Sequence, residues 1–354
     1  MIFVGDVSIS IDDHFLFKNV PKHMLTKSQE WCINLEGPVL QHPIDDGLYN
    51  GHQFIKCLDP FNITHAFIAN NHIKDHRDGI SLSIKFLRDR DITPVGVDVC
   101  SFADLDLRGS PSDVLSRRTI VLGYGSELIG CSAIPDKTGS SILLLREDEI
   151  VEDLSFALNK ANGRKVFICL HANYELDRAP QPSHRDFSRR LIDLGADGVI
   201  FHHSHVVGFV ETYKNKVICY GVGNWAASRE KFLGGQLKYP TACNNRIALE
   251  INGNNDMNVI HHFIYKEGGD IMYESSENVA DEKCSLLAPF QNYSSTDYVK
   301  WYKNNRRKSL FLPMFVGKDS TKLNILKKHW VLIRQELIKL VVKIGLKKAT
   351  PSEI

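Results

Sequence analysis

The chain has 354 residues, of which 43% are hydrophobic and 24% charged, with a formal net charge of +1. These values suit a soluble globular protein with a sizeable core, and they exclude a disordered, collagenous or disulfide-scaffold chain. The charge is uneven, because residues 296–354 hold 14 Lys and Arg against 4 Asp and Glu, a net of +10 that leaves −9 for the rest. That asymmetry predicts a basic tail with its own partner, and no nucleic acid is expected on the body.

The chain opens Met1-Ile2-Phe3-Val4-Gly5-Asp6, with no basic stretch and no long apolar core of the signal-peptide kind. No segment approaches 18 apolar residues in a row, so none is expected to span a membrane. The eight cysteines show no CxxC spacing, and several sit in apolar runs, as at Cys32, Cys169 and Cys219. They read as reduced core residues of a cytoplasmic protein.

In chain order, residues 2–4 form an apolar strand ending at Gly5-Asp6, and Trp31-Cys32-Ile33-Asn34-Leu35 a second ending at Glu36-Gly37-Pro38. Residues 64–69 form a third, ending at Asn70-Asn71-His72. Asp78 is placed to cap a helix over 79–90, with Ile80, Ile84 and Leu87 on one face. Residues 92–97 read as a strand, 101–117 as a loop without a motif, and 119–122 and 128–134 as two further strands. Residues 147–161 carry the stripe Ile150, Leu154, Ala157 and Leu158 of an amphipathic helix.

The strand at 165–170 ends at His171, with Glu175 four residues on, and a helix from Ser183 to Leu194 closes at Gly195. The apolar run 199–201 then leads into His202-His203-Ser204-His205. Short strands follow at 209–213, 217–222, 246–251 and 259–265, while 266–317 shows no period and reads as an irregular connection. Helices among the early strands and a later meander predict a mixed α/β sandwich.

Beyond Gly317, the residues Leu323, Leu326, Trp330, Ile333, Leu337, Leu340 and Ile344 recur at spacings of three and four, amid eight lysines and arginines. A basic amphipathic helix is expected over 318–348. Two readings stand for its stripe: packing on the body or in a helix pair, the usual fate of such a stripe, or docking on an anionic membrane surface, an acidic partner or a membrane synthase.

Five strand ends therefore carry Asp6, Glu36, Asn71-His72, His171 with Glu175, and His203-x-His205. This set of oxygen and nitrogen donors without thiolates suits Mn, Fe, Zn or Mg. A carboxylate flanked by imidazoles is a way to hold two cations about 3.5–4 Å apart for displacement at phosphorus.

The order of these motifs resembles the CapA family of capsule and poly-γ-glutamate synthesis proteins, a branch of the calcineurin-like metallophosphoesterases. The residues that carry the resemblance are Gly5-Asp6-Val7, Asn34-Leu35-Glu36, Ala69-Asn70-Asn71-His72 with Asp75 and Gly79, His171 with Glu175, Gly195-Ala196-Asp197, His203-Ser204-His205-Val206, and Tyr220-Gly221-Val222-Gly223-Asn224-Trp225. It covers residues 1–265 and implies a four-layer α/β/β/α sandwich, with the basic helix as a C-terminal extension. It further implies one or two divalent cations, with Asp6 and His205 on the first, Glu36 bridging, and Asn71, His171 and His203 on the second. His72 would be the proton donor, Glu175 an extra ligand or the orienter of His171, and Asn224 part of the floor. The implied activity is phosphoesterase-type hydrolysis in the synthesis of a capsule or other exopolymer; the basic tail would suit a protein working at the inner face of a membrane. A non-catalytic assembly role, or action on the amide of a γ-linked peptide polymer, are the alternatives. Departures from the pattern are Ser8, where metallophosphoesterases carry histidine, and Phe201 and Ser204 in the last histidine motif.

Overall fold

A computed structural model of the chain describes residues 1–44, 47–99, 118–227, 239–251, 257–306, 312–318 and 320–343. The loop expected at 101–117, Cys100 and the end of the basic helix, with Ile344, Lys347 and Lys348, lie outside them.

The first half runs β1 (Ile2–Ser8), β2 (Leu16–Lys18), β3 (Trp31–Leu35), β4 (Val39–Leu40), β5 (Asn50–Gly51), α1 (Phe54–Leu58), β6 (Ile63–Phe67), α2 (Gly79–Arg88), β7 (Thr93–Val95) and β8 (Val97–Val99). Then come β9 (Thr119–Gly125), β10 (Ser140–Ile142), α3 (Glu147–Lys160), β11 (Lys165–His171), α4 (Pro182–Asp193), β12 (Gly198–His202), β13 (Val210–Tyr213) and β14 (Lys216–Cys219). The chain continues with β15 (Asn224–Ala227), β16 (Asn245–Ile251), β17 (Asn258–Lys266), β18 (Asp270–Asn278), α5 (Ser295–Asn305) and α6 (Lys322–Lys343).

Nine strands form one sheet in the order β2-β18-β17-β16-β1-β3-β6-β7, with β15 also on β1, and five form a second, β13-β14-β12-β11-β9. The two sheets meet through side chains such as Phe3 and Phe167, whose rings are 5.0 Å apart, and Phe67 beside His202 at 5.4 Å. Alternation sends the other set of each strand outward. Ile120, Ile168, Val199 and Ile218 meet Ile150 and Leu154 of α3, Phe187 and Leu191 of α4, and Tyr298 and Tyr302 of α5. On the far side, Trp31 stacks with Phe61 and Trp225, and α1 and α2 add Phe54, Leu58, Ile80 and Leu87. Helices, two sheets and helices again make the α/β sandwich.

Strand β1 positions the first acid by changing partners. Residues Ile2–Val4 pair antiparallel with β16, whereas Asp6–Ser8 pair parallel with β15, and the register slips between Asp6 and Val7. At the crossing, a Cβ on Gly5 would lie 1.8 Å from the carbonyl oxygen of Gly223, so only glycine fits. Asp6 thus lies inside the strand at a bulge, not beyond its end as expected.

Four other expectations are corrected. Residues 128–134 are not a strand: the side chain of Ser126 accepts from the amide of Leu128, and a 3₁₀ turn over Glu127–Ile129 closes at Gly130 with φ of 92°. The strand read over 92–97 is broken at Gly96, whose φ is 86°. The stretch read as irregular holds β18, which edges the larger sheet, and α5, capped by Ser294. Finally, the apolar stripe of α6 does not pack on the body. Asn324 and Val331 face inward, and Leu323, Leu326, Ile333, Leu337 and Leu340 are exposed.

The seven described cysteines are free thiols, six of them buried. Burial pushes the Cys219 thiol up to about 12, as for a core residue without redox exposure.

Candidate metal centre

At one end of the sandwich the two sheets deliver their polar residues to one buried space. From the larger sheet, Asp6 comes at the bulge of β1, Glu36 directly after β3, and Asn71 after β6. The smaller sheet supplies His171 as the last residue of β11 and His202 as the last of β12. After β12 the backbone turns sharply, with His203 at φ of 88° and His205 at φ of 57°, both left-handed. That conformation is uncommon for a side-chain-bearing residue, and strained backbone of this kind recurs at functional sites. The neighbouring Asn173 and Leu176, which flank Glu175, are left-handed as well.

The contacts are short and cross between the sheets. His205 Nδ1 lies 2.7 Å from Asp6 Oδ2 and 3.2 Å from Asn224 Oδ1. His205 Nε2 is 4.0 Å from Glu36 Oε1 and 3.9 Å from Glu175 Oε1. His171 Nε2 is 2.8 Å from Asn71 Oδ1, and its ring centroid is 5.0 Å from that of His203. His203 and His205 rings are 5.8 Å apart. Asp6, Glu36, His171 and His205 are all buried.

Burial first, and then the neighbouring imidazoles of His203, His202, His205 and His72, hold His171 well below the ordinary imidazole range. It is therefore neutral, the form in which imidazole binds a metal. Burial likewise pushes His202 down to about 4, against the opposing pull of Asp6. Neither ring nitrogen of His202 makes a hydrogen bond, and its Nδ1 is 3.9 Å from Asp6 Oδ1. Its ring packs on Phe67, behind the cluster.

The donor set fits divalent cations. One ligand atom each from Asp6, Glu36 and His205 lies within 4.8 Å of the others. Two of the close pairs, Asp6 with His205 and Asn71 with His171, face each other across a single shared proton, and a cation can take that proton's place. A second group of the same donor types lies away from this space: Glu250 on β16 and His261 on β17, hydrogen-bonded at 2.9 Å, with exposed His23 of the 3₁₀ turn Lys22–Leu25 beside them.

Every expected site residue sits in or beside this space, and four more accompany them. Asn34 donates from Nδ2 to Asp6 Oδ1 at 2.7 Å and stands 3.4 Å from His171 Nδ1, so it ties one sheet's acid to the other's imidazole. Asn70 donates to the carbonyl of Leu35 and accepts from His72 N, locking the β3 and β6 ends together. Asp75 Oδ2 accepts from His72 Nδ1 at 2.8 Å and from the amide of Leu48. Tyr239 meets the edge of His205 at 5.4 Å. Asp75 had a signal, the spacing of three from His72 in a turn; Tyr239 had none.

A family model described as "Bacterial capsule synthesis protein PGA_cap" matches residues 3–229. The chain is 27% identical to "Capsule biosynthesis protein CapA" of Bacillus anthracis, over 60% of this chain and 53% of that protein. It is 26% identical to "PGA biosynthesis protein CapA" of Bacillus subtilis, over 52% of this chain and 50% of that protein. A "Probable polyglutamine synthesis accessory protein" of Mycobacterium tuberculosis is 29% identical over 44% of this chain and 43% of its own length. The chain thus spans about half the length of the curated relatives it matches.

Proposed function

The chain belongs to the bacterial capsule synthesis protein family, and from that premise we propose that it is a metal-dependent hydrolase of the phosphoesterase type, working in the synthesis of a capsule or related exopolymer. The supporting observation is the cross-sheet cluster itself. Carboxylate and imidazole donors from both sheets, Asp6, Glu36, His171, His203 and His205, share a buried space with none of the thiolates of a structural zinc site. Divalent cations held there would supply Lewis acidity and would activate water for in-line displacement at phosphorus.

The chain's own residues do the rest. Asn34 fixes the orientation of Asp6, and Asn224 that of His205. Asp75 accepts the Nδ1–H of His72 and fixes its ring, and in the imidazolium form the Nε2 proton is the one that would pass to a departing oxygen. Glu175, partly exposed, orients a ligand or adds to the set from the solvent side. A phosphoester or polymer precursor is the substrate class, and α6 is the part of the chain assigned to a membrane partner.

A second reading, a non-catalytic assembly component, is favoured by one observation: buried Ser8 stands where the phosphoesterase pattern has a histidine. Metal analysis of the purified chain, with a panel of aryl phosphate and γ-glutamyl amide substrates, separates the two. The hydrolase reading expects at least one bound divalent ion and turnover that His203→Ala lowers by 10²-fold or more, on the order seen for loss of a catalytic group. Less than one ion, with no turnover that His203→Ala changes, leaves the assembly role standing. Turnover of the amide alone moves the chemistry from phosphorus to carbonyl carbon.

A further inference from the structure

Helix α6 is inverted relative to an ordinary surface helix. Its 22 residues span about 33 Å. The side against the body is mostly polar, with Val331 buried among hydrogen-bonding side chains: Asn324 donates to the carbonyls of Val316 and Lys318, Lys327 Nζ to that of Met314, and Gln335 to that of Leu128. The side facing outward is apolar, with Leu323 63% exposed, Leu326 67%, Ile333 54%, Leu337 51% and Leu340 55%. At 100° per residue these fall within about a third of the circumference. On the same wheel, Arg334 flanks the stripe on one side and Lys322 on the other. Glu336 is the one acid of the helix.

We infer that α6 is an in-plane membrane anchor that seats its apolar stripe in the headgroup region of an anionic bilayer. Charge complementarity selects this occupant. A second copy of the chain would bring the same lysines and arginines against themselves, whereas anionic lipid meets them on both flanks while the leucines enter the acyl boundary. No described helix is long and apolar enough to cross a membrane, so the helix lies on the surface.

The anchor is wired to the metal centre on two sides. Gln335 holds Leu128, in the 3₁₀ turn whose Gly130 backs onto Asn71, where a Cβ would approach 3.8 Å. Lys327 and Asn324 hold the segment around Pro313, whose carbonyl accepts from Tyr174, the neighbour of Glu175. Docking therefore presents the Asn71 and Glu175 side of the centre to molecules held in the bilayer. Docking itself does not depend on catalysis; only the consequence for substrate, a membrane-tethered phosphoester, rests on the phosphoesterase reading.

The test is co-sedimentation of the full chain with vesicles of phosphatidylcholine, alone or with about 30% phosphatidylglycerol, at low and high salt. Binding to the anionic vesicles is expected, weakened by salt and lowered at least about tenfold in Leu326→Glu/Leu337→Glu, with little binding to neutral vesicles. Both positions are more than half exposed, so the variant keeps its fold, checked by its melting temperature. Its turnover of a soluble aryl phosphate, where the wild type shows any, stays unchanged. No vesicle binding, or equal binding by wild type and variant, overturns the anchor. So does concentration-dependent self-association in the ultracentrifuge that the variant abolishes, which would assign the stripe to a second copy. A protein that binds vesicles but hydrolyses nothing would sink the hydrolase reading and leave the anchor intact.

Discussion

His72 and Asp75 stand at the partly exposed rim of the centre, as Glu175 does, and their pairing makes a separable prediction. His72→Ala should lower turnover by about 10²–10⁴-fold while leaving metal content unchanged, because a proton donor is lost and no proposed ligand. Asp75→Asn should cost less and shift the pH profile of kcat, since the imidazole remains but its tautomer is no longer fixed. The residues of the cluster were legible in the sequence as candidate ligands because acids and imidazoles at the ends of apolar runs stand out against their surroundings. Asn34 was not legible as a site residue: in the middle of an apolar strand it reads as one more alternating position, and its link from Asp6 to His171 exists only once two sheets face each other. The convergence of His203 and His205 likewise comes from two left-handed residues in a turn and owes nothing to strand alternation.

Helices and strands with strong periods were read well, and those held by partners far away in the chain were not. Strand β18 carries Glu274, Ser275, Ser276 and Glu277 in a row, so it looks like a loop; its pairing to β17 makes it a strand. Helix α5 is short and aromatic, and it forms against α4, where Arg185 organises the contact. That guanidinium, fully buried, donates to both oxygens of Glu211 at 3.1 and 3.0 Å and to the carbonyls of Phe290 and Tyr293, and it lies under the Tyr298 ring. Glu211 also receives Arg189 and the Tyr220 hydroxyl. Arg185→Leu should therefore destabilise the protein by roughly 3–5 kcal/mol in urea unfolding, since it strands part of a buried charge.

The pairing of β16 and β17 gives a pH test. A hydrogen bond from His261, partly offset by burial, holds Glu250 below its ordinary value of 4.5. A carboxylate depressed on folding stabilises above the ordinary value, and that contribution is lost as pH falls through the depressed one. Melting temperatures of wild type and Glu250→Gln should thus differ near neutrality and converge as the pH drops below 4.5. At α6 the sequence revealed the stripe but not its direction. Orientation was set by Asn324 and Lys327 reaching carbonyls of the preceding segment, which no hydrophobic period records.

Across the whole molecule, the centre joins two layers whose facing sides also pack through apolar rings such as Phe3 on Phe167. Asp6 and Glu36 belong to one sheet, and His171, His203 and His205 to the other. A cation held by both groups binds the folded state and not the separated sheets, so stability is linked to its concentration. At about a hundred times its dissociation constant, the gain is about 2.7 kcal/mol. The expected result is a melting temperature that rises with added Mn²⁺ or Zn²⁺ and falls on chelation, with the increment absent in a His205→Ala variant. The sandwich was legible from the alternation of strands and helices, whereas which strands face across the interior was not, because that is decided by ring packing such as Phe3 on Phe167.

That packing has a consequence for ion choice. A protein interior hardly compresses, so the rings between the sheets act as a ruler for the gap that a cation must bridge. Phe67 lies at the near end of that ruler, 6.3 Å from the His171 ring and 5.4 Å from the His202 ring. Phe67→Leu should leave a cavity that loosens this spacing and so narrow the preference between Mg²⁺ and the larger Ca²⁺, as measured by equilibrium dialysis, although no ligand has been touched. Selection among ions would then be inherited from hydrocarbon thickness, and the aromatic content of the interior would change with the metal the cell supplies.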